Sequence, residues 1–146
     1  MNTDTAYLVV DDNEADRFLN ARVLRKIGVP EDHIREAADG AQALELLNGP
    51  LAGQRCVILL DINMPVMDGF TFLREWASAA KPDKGIVVMV TSSQDERDRN
   101  RAEAHGNVAG FLTKPLDRSA FQAFLEELLG DMDAHPGQAG QDGRGG

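Results

Sequence analysis

The 146-residue chain is poor in several things that would each admit a class of function. It has one cysteine, Cys56, so no intrachain disulfide and no cysteine-rich metal site can form. Cys56 lies within an apolar run and reads as a small buried hydrophobe in a reducing, cytoplasmic setting. No apolar run approaches the ~20 residues that a membrane span requires. Met1 to Tyr7 lacks the basic patch and apolar stretch of a secretory signal. Basic charge is scarce too: 15 Lys and Arg stand against 24 Asp and Glu, a net −9, which argues against nucleic acid as a direct partner. Neither GxGxxG nor GxxxxGK[ST] occurs, so a nucleotide-binding fold has no support. The length suits one domain with one core.

Five short apolar runs are present: Tyr7–Val10, Ile34–Ala37, Cys56–Leu60, Ile86–Val90 and Val108–Leu112. The first, third and fourth are almost unbroken Val, Ile, Leu or Met, which suits strands covered on both faces, as in a parallel sheet. Helical patterns separate them. Phe18, Val23, Leu24 and Ile27 form a first apolar stripe that Gly28 is placed to end. Ala41 to Leu47 is a second, short helix. Phe70, Leu73, Trp76 and Ala77 form a third stripe, ended at a Lys81-Pro82 turn. Asp95 to His105 is charge-dense, with only Ala102 and Ala104 apolar, and so is expected to be weakly held. Phe121, Phe124, Leu125, Leu128 and Leu129 give the clearest stripe. Alternation of strand and helix predicts an α/β fold, a doubly wound parallel sheet of five strands with helices on both faces. The composition divides the chain into a folded domain over residues 1–130 and a disordered Gly-rich tail over 131–146.

Open α/β sheets bind ligands at the carboxyl ends of their strands. The polar residues there are Asp11 and Asp12 after the first run, Asp61 after the third, Thr91, Ser92 and Ser93 after the fourth, and Thr113, Lys114 and Pro115 after the fifth. Each has an ordinary explanation: an Asp between strand and helix is a good helix cap, and Lys114 before Pro115 suits an extended surface connection. Caps explain neither the doubled Asp11-Asp12 nor a lone lysine at the same edge. Three carboxylates close together either take up protons or bind a cation. With no His or Cys nearby, oxygen ligands favour Mg²⁺ over zinc, and Mg²⁺ leaves room for a phosphate oxygen. Lys114 could neutralise a phosphate and the Thr91 hydroxyl could bond it. An Asp carboxylate can itself attack phosphorus, and Asp61 is the candidate phosphoacceptor.

The segments YLVVDDNEADR, DINMPVMDG, VVMVTSS and GFLTKPL, in this order, resemble the receiver domain of two-component response regulators over about Ala6 to Leu129. The likeness is to the single-domain, chemotaxis-regulator form, with a flavodoxin-like fold. The resemblance implies that Asp61 is the phosphoacceptor and that Asp12, Asp61 and the Asn63 carbonyl ligate Mg²⁺ directly, Asp11 acting through water. It implies that Lys114 pairs with the phosphoryl group, that Thr91 moves toward it, and that Phe111 is the aromatic that swings inward. The Lys114-Pro115 bond is expected to be cis. Ser92 stands where a small Ala is commoner, Phe111 lacks a tyrosine hydroxyl, and the His105–Gly110 segment exceeds the family's usual length. The partners implied are a sensor histidine kinase and a downstream protein or histidine phosphotransfer protein, reached through the fourth helix, fifth strand and fifth helix. The chain would then be a phosphorylation switch, a relay intermediate or a phosphate sink, as a monomer or weak homodimer. It would not be an enzyme on outside substrates, although slow loss of its own phosphate is expected. A haloacid-dehalogenase-like phosphatase is disfavoured because Asn63 stands where such enzymes carry a general acid. A phosphorylation-independent interaction module is the remaining reading.

Overall fold

The computed structural model describes residues 5–79, 85–92 and 95–133. Strand β1 (Ala6–Val10) leads to α1 (Glu14–Lys26). A single 3-10 turn at Glu31–His33 precedes β2 (Ile34–Ala37) and α2 (Gly40–Asn48). Then follow β3 (Cys56–Leu60), α3 (Gly69–Ala79), β4 (Gly85–Thr91), α4 (Glu96–Glu103), β5 (Val108–Thr113) and α5 (Arg118–Asp133). All strand pairings are parallel and the order is β2-β1-β3-β4-β5. The three unbroken apolar runs are the three central strands, β1, β3 and β4.

Period-2 alternation sends successive side chains of those strands to opposite faces. Leu8, Val10, Ile58, Leu60, Val87 and Met89 pack with Ala43, Leu47, Phe72, Trp76 and Ala102 of α2, α3 and α4. Tyr7, Val9, Val57, Leu59, Val88 and Val90 pack with Ala21 and Leu24 of α1 and Phe121, Leu125 and Leu129 of α5. Each such fully buried Leu, Ile, Val or Phe contributes roughly 1.5–3 kcal/mol. Cys56 is buried in the same layer as Trp76, and that burial pushes its thiol up to about 12.

Two stripes each hold one residue that the structure turns outward, while Val23, Leu24, Ile27, Phe70, Leu73 and Trp76 pack inward as expected. Phe18 is not in the core: it is 54% exposed, and Leu19 beside it is 48% exposed. The inward face of α1 is instead Asn20, Ala21, Leu24 and Ile27. At 3.6 residues per turn, Phe18 lies roughly 120° around the helix from Leu24. In α3, Ala77 is exposed and Phe72 is fully buried, stacked on Trp76 with ring centroids 5.8 Å apart. Gly28 ends α1 as expected, with φ +106°, a conformation an L side chain rarely adopts. The α5 helix runs through Gly130 to Asp133, past the boundary that composition suggested. The rest of the proposed tail, the Lys81-Pro82 turn and Ser93 lie outside the described residues.

The pairing of β4 with β5 changes register at its start. Val87 pairs with Val108 but Val88 with Gly110, which leaves Ala109 as the extra residue of a bulge.

Candidate functional site at the strand carboxyl ends

Chain order reverses between β1 and β3, so the switch point of the sheet falls between the residues that follow these strands. Both continue briefly into the ladder: the Asp11 N–H donates to the Ala37 carbonyl and the Asp61 N–H to the Val10 carbonyl, each at 3.1 Å. Carboxylate oxygens of Asp11, Asp12 and Asp61 consequently lie within 4.8 Å of one another. Asp11 and Asp61 are buried, and Asp12 is exposed.

The ordinary cap explanation fails here. Asn13, not Asp11 or Asp12, caps α1: its Oδ1 accepts from the Asp16 N–H at 2.9 Å. Asp68, not Asp61, sits ahead of α3 and accepts from the Thr71 N–H at 2.8 Å. The three acids are therefore left for another task.

Residues 61–69 form the loop that carries Asp61 into α3. Its ends are drawn together by the Gly69 N–H donating to the Ile62 carbonyl at 2.8 Å. A Cβ at Gly69 would stand 2.4 Å from the Asp61 carbonyl oxygen, so only glycine allows this approach. Within the loop, Val66 adopts φ +67° while 85% exposed, a strained conformation for a β-branched residue. Asp61 Oδ1 accepts from the Ile62 N–H at 2.8 Å.

Lys114 arrives from β5. Its N–H donates to the Thr91 carbonyl at 2.9 Å, and its peptide bond to Pro115 is cis. Its Nζ lies 2.6 Å from Asp11 Oδ2, 2.9 Å from Asp16 Oδ2 and 3.1 Å from Asp61 Oδ2. Burial raises the Asp11 pKa and the nearby Asp61 charge adds to this, outweighing the contacts from Lys114 and the Asn13 N–H. Burial alone would favour neutral Lys114, but its bonds to Asp11 and Asp16 and the Asp61 charge prevail and raise its pKa.

Thr91 is fully buried at the end of β4, and Ser92 after it is exposed. Phe111 pairs with Met89 on β4 and packs half-buried against the core. The Arg99 guanidinium of α4 lies 5.0 Å from its ring centroid. Asn63 is exposed in the loop after Asp61. The structure thus gathers Asp11, Asp12, Asp61 and Lys114 at one point and ties Thr91 to it through the backbone. It holds Phe111 further back on β5. Asp16 is the site residue that sequence reasoning missed. The segment DDNEAD offers two further acids, Glu14 and Asp16, and only the phase of α1 decides which one meets the lysine.

The donor set fits a small hard cation, since all three ligand groups are carboxylates and an ammonium stands beside them. The sequence matches the response regulator receiver domain family over residues 7–126. The chain belongs to that family. Receivers are modules of two-component signalling. This receiver is 34% identical to part of the sensor histidine kinase CheAY of Helicobacter pylori, covering 77% of this chain but 13% of that protein. It is 28% identical to the probable chemotaxis protein CheY of Rhizobium etli, covering 86% and 92% of the two chains. Among solved structures, a two-component response regulator from Cytophaga hutchinsonii superposes with a TM-score of 0.77 at 29% identity, covering 88% of this receiver and 99% of that chain. The chemotaxis response regulator CheY4 of Vibrio cholerae gives 0.70 at 27% identity, covering 85% and 98%. No helix among the described residues is long and apolar enough to cross a membrane.

Proposed function

We propose that this receiver is a phosphorylation-dependent switch that accepts a phosphoryl group on Asp61 from a histidine kinase. The observation that carries the reading is the convergence of Asp11, Asp12 and Asp61, from two neighbouring strands, with Lys114 reaching across from β5. Asp12, Asp61 and the Asn63 carbonyl would hold Mg²⁺, with Asp11 acting through water. The bound ion supplies charge neutralisation between the carboxylates and an incoming phosphate. An Asp61 oxygen attacks phosphorus as the bond to the donor's leaving group breaks, the electron pair staying with the donor. Lys114 then meets one phosphoryl oxygen and the Thr91 hydroxyl another.

Output would run through α4, β5 and α5. The α4 helix buries only Ala102 among its own residues, and Arg99 lies over Phe111, so little apolar contact resists a shift when Thr91 and Phe111 move. The signal would pass to a protein partner, whether as regulator, relay or phosphate sink.

The test is intact-mass spectrometry after incubation with a small phosphodonor and Mg²⁺. A gain of one phosphoryl group, lost in Asp61→Asn and with chelator, is the expected result. No gain in folded wild-type protein would remove the reading.

A further inference from the structure

Lys114 Nζ donates hydrogen bonds to Asp16 and Asp61 and stands 2.6 Å from Asp11 Oδ2, so three carboxylates already share its one charge before any phosphate arrives. The partners are unequal. Asp11 and Asp61 belong to the acidic cluster on the strands. Asp16 stands outside it on α1, with its side chain 37% exposed, against 1% for Asp11 and 9% for Asp61. The bond bridges residues 98 apart in sequence and joins α1 directly to the turn after β5. Asp16 and Lys114 both line a cavity of about 630 Å³ between α1 and that turn, so solvent reaches the pair from this side.

We propose that Asp16 is a positioning residue that competes with the incoming phosphoryl group for Lys114 and thereby sets the rate at which Asp61 is phosphorylated. This rests on the reading of Asp61 as phosphoacceptor. A phosphoryl oxygen needs a lysine donor, and the contact to release is the one that is solvent-exposed and outside the cluster. Release replaces a charge-assisted bond by a phosphate contact, with no change of covalent structure at Asp16. Asp16 also places a negative charge beside the path of a dianionic donor, which slows its approach.

Neutralising Asp16 then removes both obstacles. Asp16→Asn should raise the second-order rate of phosphorylation by a small dianionic donor about three- to tenfold, the effect of one unit charge a few ångströms away at intermediate dielectric. Asp16→Glu, which keeps the charge, should stay near wild type. The acceleration that added salt gives the wild type should be smaller in Asp16→Asn, because one repulsive charge is gone. A purely structural role would leave that salt slope unchanged. Near-ultraviolet circular dichroism establishes that each variant is folded. A second, phosphorylation-independent readout is the side-chain ammonium resonance of Lys114 in metal-free protein. It should shift or broaden in Asp16→Asn as one of its three acceptors weakens.

Faster phosphorylation in Asp16→Asn with an altered Lys114 resonance supports the proposal. An equal or slower rate in folded Asp16→Asn, beside a reactive wild type, overturns it. If the wild type itself takes no phosphoryl group, the phosphoacceptor reading fails. The Lys114 resonance then decides whether Asp16 holds the amine, and an unchanged resonance overturns that as well.

Discussion

Lys114 is the cation that allows Asp11 and Asp61 to be buried side by side. Removing one member of such an arrangement strands the others without a counter-charge. Lys114→Met should therefore lower stability by about 2–4 kcal/mol at neutral pH. Its pH dependence follows from Asp11, whose folded pKa is raised by burial and by Asp61. Between the ordinary carboxylate value and that raised value the folded state binds the extra proton, so stability falls as pH rises through the window. Without Lys114 the two lowering contacts are fewer and the window widens upward. Denaturant titrations of Lys114→Met from pH 4 to 8 should show its deficit shrinking on acidification; a deficit independent of pH would contradict this electrostatic account. At this scale the sequence was legible where a residue's place follows from strand ends alone, as for Asp11, Asp12, Asp61 and Lys114. Asp16 was not legible, because its role depends on which side of α1 faces the lysine.

Among elements, the strands were readable because continuous Val, Ile and Leu runs have few other uses in a chain of this kind. Helix phases were less so. Phe18 and Leu24 are alike in hydrophobicity although the helix turns Phe18 away, and fully buried Phe72 falls outside the stripe that exposed Ala77 completes. A polar Asn20 on the inward face and an exposed Phe18 on the outer one hide the phase from any count of apolar residues. The charge-dense α4 buries only Ala102 of its own residues. Its capping Asp95 accepts from the Arg97 N–H and guanidinium, which lowers the Asp95 pKa, but these groups are exposed. Exposed ion pairs add little. Amide exchange should therefore be faster over residues 96–103 than over α2 or α5. Ala102→Gly, at the one buried position, should speed it further at a cost of about 1 kcal/mol. Equal protection of all helices in the wild type would show that α4 is held by more than this contact.

For the whole molecule, the proposed Mg²⁺ site predicts that stability depends on divalent cation. A cation that binds only the folded state stabilises by mass action, about 2.7 kcal/mol at a hundred times its Kd. Mg²⁺ should raise Tm by several degrees, reversibly with chelator. Asp12→Asn should abolish the shift while leaving the core intact, since Asp12 is exposed. A Tm of Asp12→Asn that still climbs with Mg²⁺ would place the ion elsewhere.

The same core that seals the sheet also silences the one thiol in the chain. Cys56 is 1% exposed and its pKa is pushed up to about 12 by burial, so almost no thiolate exists or is reachable near neutrality. A thiol reagent at pH 7.5 should leave native protein unmodified and react only with global unfolding; rapid native-state labelling would refute this. The chain then comes ready for site-specific labelling. A single cysteine placed at exposed Asn100 on α4 would take a fluorophore alone, with no background substitution to undo. Movement of the proposed output face could then be watched by light.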